Sequence, residues 1–174
     1  MSATPAPAHM MVGIVVERRK AASPWTDFLW RPVAALAGVP DTPPWSVLST
    51  EGDTTIFYAG GAEVKLYRTE TANYRSNLVA EASLWVVLRP TESEPPYQVF
   101  AVTADPAEGE AFTETGSDLV ETVPMPESVR DFVAAFVAAH VEYEAETKFV
   151  KRKRDRVNPE ALARRGPIRE GGNE

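Results

Sequence analysis

The sequence contains no cysteine and only two histidines in 174 residues. Without thiols, the chain has no disulfides, no cysteine nucleophile, no cysteine-held iron–sulfur cluster and none of the usual structural zinc sites. His9 and His140 stand in different sequence settings, and we interpret His140, on an apolar stripe, as a core or boundary residue. We therefore expect no bound metal, and the composition fits a reducing cytoplasm.

Long apolar runs are also missing. No stretch approaches the roughly 18 apolar residues that a membrane span requires. The opening MSATPAPAHMM lacks the basic start and apolar centre of a secretory signal, and no apolar segment follows Arg18-Arg19. Gly60-Gly61 has neither the spacing nor the following Lys-Ser/Thr of a phosphate-binding loop. We expect a cytoplasmic protein that binds no membrane, flavin or nucleotide.

Charge is distributed unevenly along the chain. The net charge is −7, but residues 148–174 carry nine Lys and Arg against four acids, which leaves −12 for the other 147 residues. The basic candidates for partner binding are Lys151, Arg152, Lys153 and Arg154. A protein with an acidic surface is one target, nucleic acid is disfavoured because the body is acidic and shows no nucleic-acid-binding motif, and a self-solvating tail is the alternative.

The composition divides the chain into three parts. Residues 1–10 are rich in Pro and Ala and predict a disordered leader. Residues 11–147 have the length and pattern of one α+β domain. Residues 148–174 predict a basic helical extension that passes into a disordered tail, and we expect residues 148–156 to be dispensable for folding.

Period-2 patterns predict an antiparallel sheet. Val12, Ile14 and Val16 fall on one side of a first strand. FLWRPVAALAG predicts a second strand that Pro32 confines to an edge or a bulge. Gly60-Gly61 lies between two β-type runs and predicts a hairpin turn. SLWVVLRP and YQVFAVTAD predict two more strands joined by the loop TESEPP. The expected fold is an α+β meander or a partly closed barrel packed by C-terminal helices.

Two helices are predicted in the second half of the chain. Asp105 before Pro106 is an N-terminal capping signature. Apolar residues recur at helical spacing from Val129 to Val141 and predict an amphipathic helix that closes the sheet. The predicted core consists of Ile14, Val16, Phe57, Leu66, Val86, Leu88, Phe132 and Phe136.

The candidate functional residues are mainly aromatic. Trp25, Trp30 and Trp45 lie close together beside several prolines. They either pack over the sheet or form an exposed aromatic patch of the kind found at interface centres. Its expected polar members are Arg31, Tyr74 and Arg75. Paired acids such as Glu92 and Glu94 are capable of binding a cation, although a solvated surface explains them more simply.

Several unusual segments occur together in order. They are GIVVERR, SPWTDFLWRPVAALAG, EGDTTIFYAG, ETANYRSNL, WVVLRP, VPMPESV and FVKRKRD, covering about residues 12–156. This combination resembles an uncharacterised bacterial family that carries a domain of unknown function. The resemblance implies genes that lie beside those for molybdenum-dependent formate dehydrogenase, its assembly chaperones and an iron–sulfur protein. It supplies no catalytic residues.

Three functional hypotheses follow. The first is a non-enzymatic accessory or adaptor protein that binds another protein, namely a formate dehydrogenase subunit or maturation factor. The second is a regulatory domain that binds a small molecule at the open end of the sheet, which would need a ligand-sized pocket. The third is an enzyme, which would need a cleft of titratable residues with perturbed pKa values.

Overall fold

The computed structural model describes residues 8–141. In this range the chain forms seven strands and three α-helices. The strands are β1 (Ala8–Lys20), β2 (Phe28–Ala37), β3 (Ser46–Glu51), β4 (Thr54–Leu66), β5 (Ser83–Pro90), β6 (Tyr97–Thr103) and β7 (Leu119–Pro124); the helices are α1 (Thr71–Val79), α2 (Pro106–Thr113) and α3 (Glu127–Ala139). β1 thus begins inside the predicted leader, whereas the predicted basic tail lies outside the described residues.

The strands form two antiparallel sheets. The first has the order β2-β1-β4-β3 and the second the order β6-β5-β7. β6 lies beside β4, and β7 lies beside β2. Between Ala8 and Val141 no ladder pairs a strand of one sheet with a strand of the other, so the sheets are not closed into a barrel. The predicted α+β class and antiparallel pairing are confirmed, and the barrel alternative is wrong.

One hydrophobic core lies between the sheets. Val12, Ile14 and Val16 of β1 are fully buried, as their period-2 spacing predicts. They share the core with Leu66, Val86, Leu88 and Phe136. Phe132 is half-buried against it. Phe57 is buried too, but it packs among the aromatic rings at one end of the core.

Pro32 lies on an edge strand and at a register shift, as expected for a residue without a main-chain N–H. A proline has no N–H to donate to a ladder and is therefore tolerated only at an edge or bulge. β2 is an edge strand, and the register between β1 and β2 shifts at Val15/Val16, where Val16 pairs with Pro32. The prediction is confirmed on both counts.

The predicted hairpin at Gly60-Gly61 is wrong, because β4 runs through both glycines as one strand of 13 residues. Gly60 has a φ of 137° and lies at the irregularity where the register between β1 and β4 shifts. A Cβ on Gly61 would lie 2.8 Å from Cγ2 of Val39. These glycines therefore permit a bulge and a close approach rather than a turn.

The close approach at Gly61 belongs to a chain crossing. β2 and β3 occupy opposite edges of the first sheet, so residues 38–45 must cross one of its faces. Gly13 pairs with Gly61, and a Cβ on Gly13 would lie 3.2 Å from the carbonyl oxygen of Gly38. Two paired glycines thus leave room for the crossing segment. The hairpin turn itself lies between β3 and β4, where Gly52 has a φ of 59°.

Helices α1 and α3 lie at one end of the two sheets, and α2 covers one face of the second sheet. The Asp105 cap is confirmed: its Oδ1 accepts the Ala107 N–H at 2.9 Å, and α2 begins at Pro106. α2 packs on the outer face of the second sheet, where Gly109 lies directly against Trp85. α3 is also confirmed, and it contacts α1 at one end of the two sheets. None of the helices between residues 8 and 141 is long and apolar enough to cross a membrane.

Candidate functional site

The two ends of the paired sheets differ in construction. One end carries four connections, residues 21–27, 52–53, 91–96 and 114–118, and we call it the loop end. The opposite end carries α1, α3 and the start of α2, and we call it the helical end. The main-chain N–H of Lys20 donates to the Asp53 carbonyl at 3.1 Å and joins two of the connections at the loop end.

Five aromatic rings meet at the loop end, and we call them the aromatic cluster: Phe28, Trp30, Trp45, Phe57 and Tyr97. Trp30 is central, since its ring centroid lies 5.8 Å from that of Phe57, 5.9 Å from that of Trp45 and 6.0 Å from that of Tyr97. Most of these ring pairs are edge-on or tilted, which is the favoured geometry for aromatic contacts.

Trp45 enters the aromatic cluster from the end of the crossing segment. Its φ is 66°, a left-handed conformation that a bulky side chain rarely adopts. Its main-chain N–H donates to the Tyr58 carbonyl, and its ring meets Trp30 and Phe57 edge-on. The backbone conformation costs about 1–3 kcal/mol. Packing of the indole offsets that cost and fixes the crossing segment at this end.

Arg18 lies over the aromatic cluster. Its guanidinium carbon is 4.5 Å from the ring centroid of Phe28, 5.2 Å from Phe57 and 5.7 Å from Trp30. Its Nη2 is also 3.4 Å from Oγ1 of Thr55. Arginine above aromatic faces is held by the negative potential of the rings. The cluster therefore already binds one guanidinium within the chain.

Trp25 is separate from the aromatic cluster and is 93% exposed. It lies in the 21–27 loop, which is closed by a hydrogen bond from the Ala21 N–H to the Asp27 carbonyl at 3.0 Å. Within the loop, the Trp25 N–H donates to Oγ of Ser23 at 3.2 Å. The loop backbone is thus held by hydrogen bonds while its largest side chain remains in solvent.

The helical end is built in the opposite way. Tyr74 of α1 is 1% exposed, its ring meets Phe136 edge-on, and its hydroxyl accepts the Tyr67 N–H at 2.9 Å. Burial raises the pKa of Tyr74 to about 12, with a smaller contribution from nearby carboxylates. Asn77 is also buried, and it bonds the main chain of Ser83 and Ala104. Tyr74 and Asn77 are thus covered, and their polar side-chain atoms are paired.

A cleft of about 360 Å³ opens at the helical end between β4 and β6. Its lining includes Glu63, Lys65, Thr103 and Glu108. Burial, followed by the nearby Asp105 carboxylate, raises the pKa of Glu108. Burial and the carboxylate of Asp105, which caps α2, explain the raised pKa, so a catalytic role is not required.

Among residues 8–141, no three His, Asp or Glu side chains are placed to hold a metal ion. A protein family described as "protein of unknown function (DUF3305)" matches residues 11–153. The chain belongs to this family. No curated protein and no solved structure matches the chain. The resemblance inferred from the sequence is therefore confirmed as far as a domain of unknown function.

The structure separates the candidate residues of this DUF3305 member. Trp30 and Trp45 are half-buried in the aromatic cluster, while Trp25 is exposed. Arg31 follows Trp30 on β2 and points to the other face, where its Nε is 3.4 Å from Oε1 of Glu17. Of the two alternatives, packing over the sheet therefore describes Trp30 and Trp45, and exposure describes Trp25 alone.

The remaining candidates lie elsewhere. Tyr74 was expected in an exposed patch but is a buried residue of the helical end, so that expectation is wrong. Arg75 is half-buried on the same helix, α1. The basic candidates Lys151, Arg152, Lys153 and Arg154 lie outside the described residues.

Residues missed by sequence reasoning complete the loop end. Arg18, Phe28 and Tyr97 were not recognised as neighbours of Trp30. The signal for Arg18 was available in part, because it follows Val16 at the same period-2 spacing and so shares its face. Tyr97 belongs to the other sheet, and no local pattern in the sequence predicts that contact.

Proposed function

We propose that this protein is a non-enzymatic accessory protein that binds another protein through its loop end. The observation that carries the proposal is the exposure of Trp25 on a loop closed by hydrogen bonds. Burial of apolar surface stabilises an association by roughly 25 cal/mol per Å², and tryptophan is among the residues that contribute most at interface centres. A partner that covers Trp25 gains this contribution without first ordering the loop.

Other exposed apolar side chains accompany Trp25 at this end. Leu29 on β2 is 56% exposed, and Val47 and Leu48 on β3 are 59% and 52% exposed. Scattered exposed apolar residues are ordinary, so Trp25 carries the proposal and these side chains only add apolar area at the same end. Among residues 8–141 no strand pairs with the outer edge of β3, so a partner also meets main-chain groups there.

The proposed partner is a subunit or maturation factor of a formate dehydrogenase-type metalloenzyme. The support is the resemblance described above, which implies genes beside those for that enzyme and its assembly chaperones. The proposal places the protein in the cytoplasm, and a chain without cysteine suits that compartment.

Binding of a small molecule is the alternative function. The clefts at the two ends measure about 320 and 360 Å³, near the lower limit of the roughly 300–1,000 Å³ range of ligand pockets. The cleft at the helical end is lined in part by charged residues, which does not suit an apolar ligand. We therefore favour protein binding.

Affinity purification from the native host tests the proposal. The bait is the full chain, compared with Trp25→Ala and with the control Val79→Ala, an exposed apolar residue of the helical end. We expect the full chain and the control to recover a formate dehydrogenase subunit or maturation factor, and Trp25→Ala to recover much less. Recovery of neither class of protein by the full chain overturns the proposal.

A further inference from the structure

A second cleft lies at the loop end, where the start of β2 approaches the start of β6. Its volume is about 320 Å³. The lining residues are Thr26, Asp27, Phe28, Trp30, Glu94, Pro96 and Tyr97. This combines three aromatic rings with two carboxylates. The volume suits one long side chain rather than a nucleotide or another large cofactor.

Phe28, Trp30 and Tyr97 line the cleft, although Trp30 is also stacked on Phe57. The planes of Phe28 and Trp30 lie at 68°, and those of Trp30 and Tyr97 at 59°, so neither pair is stacked face to face. The face of an aromatic ring carries negative potential and attracts cations, among which arginine is the commonest partner. Arg18 lies over Phe28 and Trp30 in the same way, but it is not among the residues that line the cleft.

The carboxylates in the cleft have no partner within the described part of the chain. Neither Asp27 nor Glu94 makes a side-chain hydrogen bond or an ion pair between residues 8 and 141. By contrast, Glu17 and Asp118 at the same end are paired with arginines. The cleft thus combines aromatic rings with two carboxylates that have no direct partner between residues 8 and 141, which disfavours an anion and favours a cation.

We propose that this cleft binds an arginine side chain of the partner protein. The guanidinium contacts the aromatic rings that line the cleft and pairs with Asp27 and Glu94. A planar guanidinium satisfies both features at once, because it stacks on aromatic faces and donates several hydrogen bonds in its plane. The proposal rests on the proposed function, since it specifies what the loop end recognises on its partner.

Nuclear magnetic resonance of the full-length, ¹⁵N-labelled protein tests the proposal. The probe is N-acetyl-arginine methylamide, and the response is the indole N–H resonance of Trp30. The matched control is the citrulline analogue, which keeps the shape but lacks the charge. We expect saturable shifts with the arginine probe. The citrulline analogue should bind with an affinity at least about tenfold lower. Equal binding of the two probes overturns the proposal.

Variants locate the binding site. Asp27→Asn combined with Glu94→Gln removes both charges from exposed positions, and we expect about threefold to tenfold weaker binding of the arginine probe. Glu92→Gln changes an exposed acid of the same loop that does not line the cleft, so it should leave binding unchanged. Unchanged binding in the double variant, with an unchanged melting temperature, contradicts the proposal.

Two further measurements test whether something other than arginine occupies the cleft. Tighter binding of tetramethylammonium than of the arginine probe would assign the cleft to a quaternary ammonium group and overturn the arginine proposal. A Trp30 resonance that shifts on dilution without any probe would instead assign the cleft to a second copy of this chain, which also overturns it.

The affinity purification separates this inference from the proposed function. If the double variant recovers the partner as well as the full chain does, while Trp25→Ala does not, the proposed function stands and the cleft proposal fails. If the full chain recovers no partner although the arginine probe binds, the proposed function fails for its own reasons.

Discussion

The two ends of this molecule hold similar residues in opposite ways. At the helical end, Tyr74 and Phe136 are buried against each other, and the side chain of Asn77 forms hydrogen bonds with main-chain groups. At the loop end, Trp30 and Trp45 are only half-buried, and Trp25 is in solvent. Aromatic residues thus complete the core at one end and remain available at the other.

The polar groups show the same difference. At the helical end, Nδ2 of Asn73 donates to both Glu70 and Asp105 at 3.1 Å, so nearby carboxylates are neighbours within one network. At the loop end, Asp27 and Glu94 have no such partner between residues 8 and 141. Carboxylates held in such a network contribute to stability, whereas those of Asp27 and Glu94 are solvated and, under the proposal above, pair with the partner.

Phe136→Ala should have the largest effect on stability. Phe136 is buried where α3 meets α1, and truncating a buried phenylalanine costs about 3–5 kcal/mol. Urea unfolding followed by circular dichroism measures the change in the free energy of unfolding. Val141→Ala, at an exposed position just beyond α3, is the control. An unchanged free energy for Phe136→Ala would mean that the helical end is not a core.

Asn77→Ala should rank second. Asn77 donates to the carbonyls of Ser83 and Ala104 at 2.8 and 2.9 Å, and it accepts the Ser83 N–H at 3.0 Å. Removing the amide leaves these groups without a partner, at a cost of about 1–3 kcal/mol. The same unfolding experiment measures it, with Ser76→Ala on the exposed face of α1 as the control. A loss no greater than that of the control would contradict the described network.

The loop end also contains a paired carboxylate, that of Asp118, which contrasts with those of Asp27 and Glu94. Arg89 donates to both oxygens of Asp118, at 3.1 and 3.0 Å, and this hydrogen bonding lowers the pKa of Asp118. A lowered pKa in the folded state stabilises the protein above the ordinary pKa of aspartate, and the contribution is lost as the pH falls through the folded value.

Melting temperatures across acidic pH test this pair. The difference in melting temperature between the unsubstituted protein and Asp118→Asn should be largest near neutral pH and shrink below about pH 4. Arg89→Ala should remove this pH dependence. A difference that grows as the pH falls would have the wrong sign for a lowered pKa.

Trp25→Ala should have the smallest effect on stability. Its side chain is 93% exposed, and surface substitutions usually change the free energy of unfolding by less than about 0.5 kcal/mol. We expect unchanged urea unfolding together with lost partner binding. A destabilisation comparable to that of Phe136→Ala would show that Trp25 is packed, and the contrast between the two ends would be lost.

Local rules predicted those features that depend on local chemistry. Pro32 lacks an N–H, and this alone predicts an edge or a bulge for β2. Asp105 before Pro106 is sufficient to predict the start of α2. α1 was missed because its buried residues are Thr71, Tyr74 and Asn77, which give no apolar period.

Features that depend on distant segments were predicted wrongly or not at all. Gly60-Gly61 has the composition of a turn, but its conformation is determined by residues 38–45, which cross the sheet beside Gly61. The three nearby tryptophans likewise have similar sequence surroundings but differ in the exposure of their side chains. Their positions in the loop, on β2 and at the end of the crossing decide which one meets solvent, and these positions follow from strand order and register.

Amide hydrogen exchange of the protein with and without its captured partner tests the central claim most directly. We predict that the partner slows exchange in residues 21–30 and 46–48 and leaves residues 71–79 and 127–139 unchanged. Slower exchange confined to the helical segments would contradict the assignment of binding to the loop end.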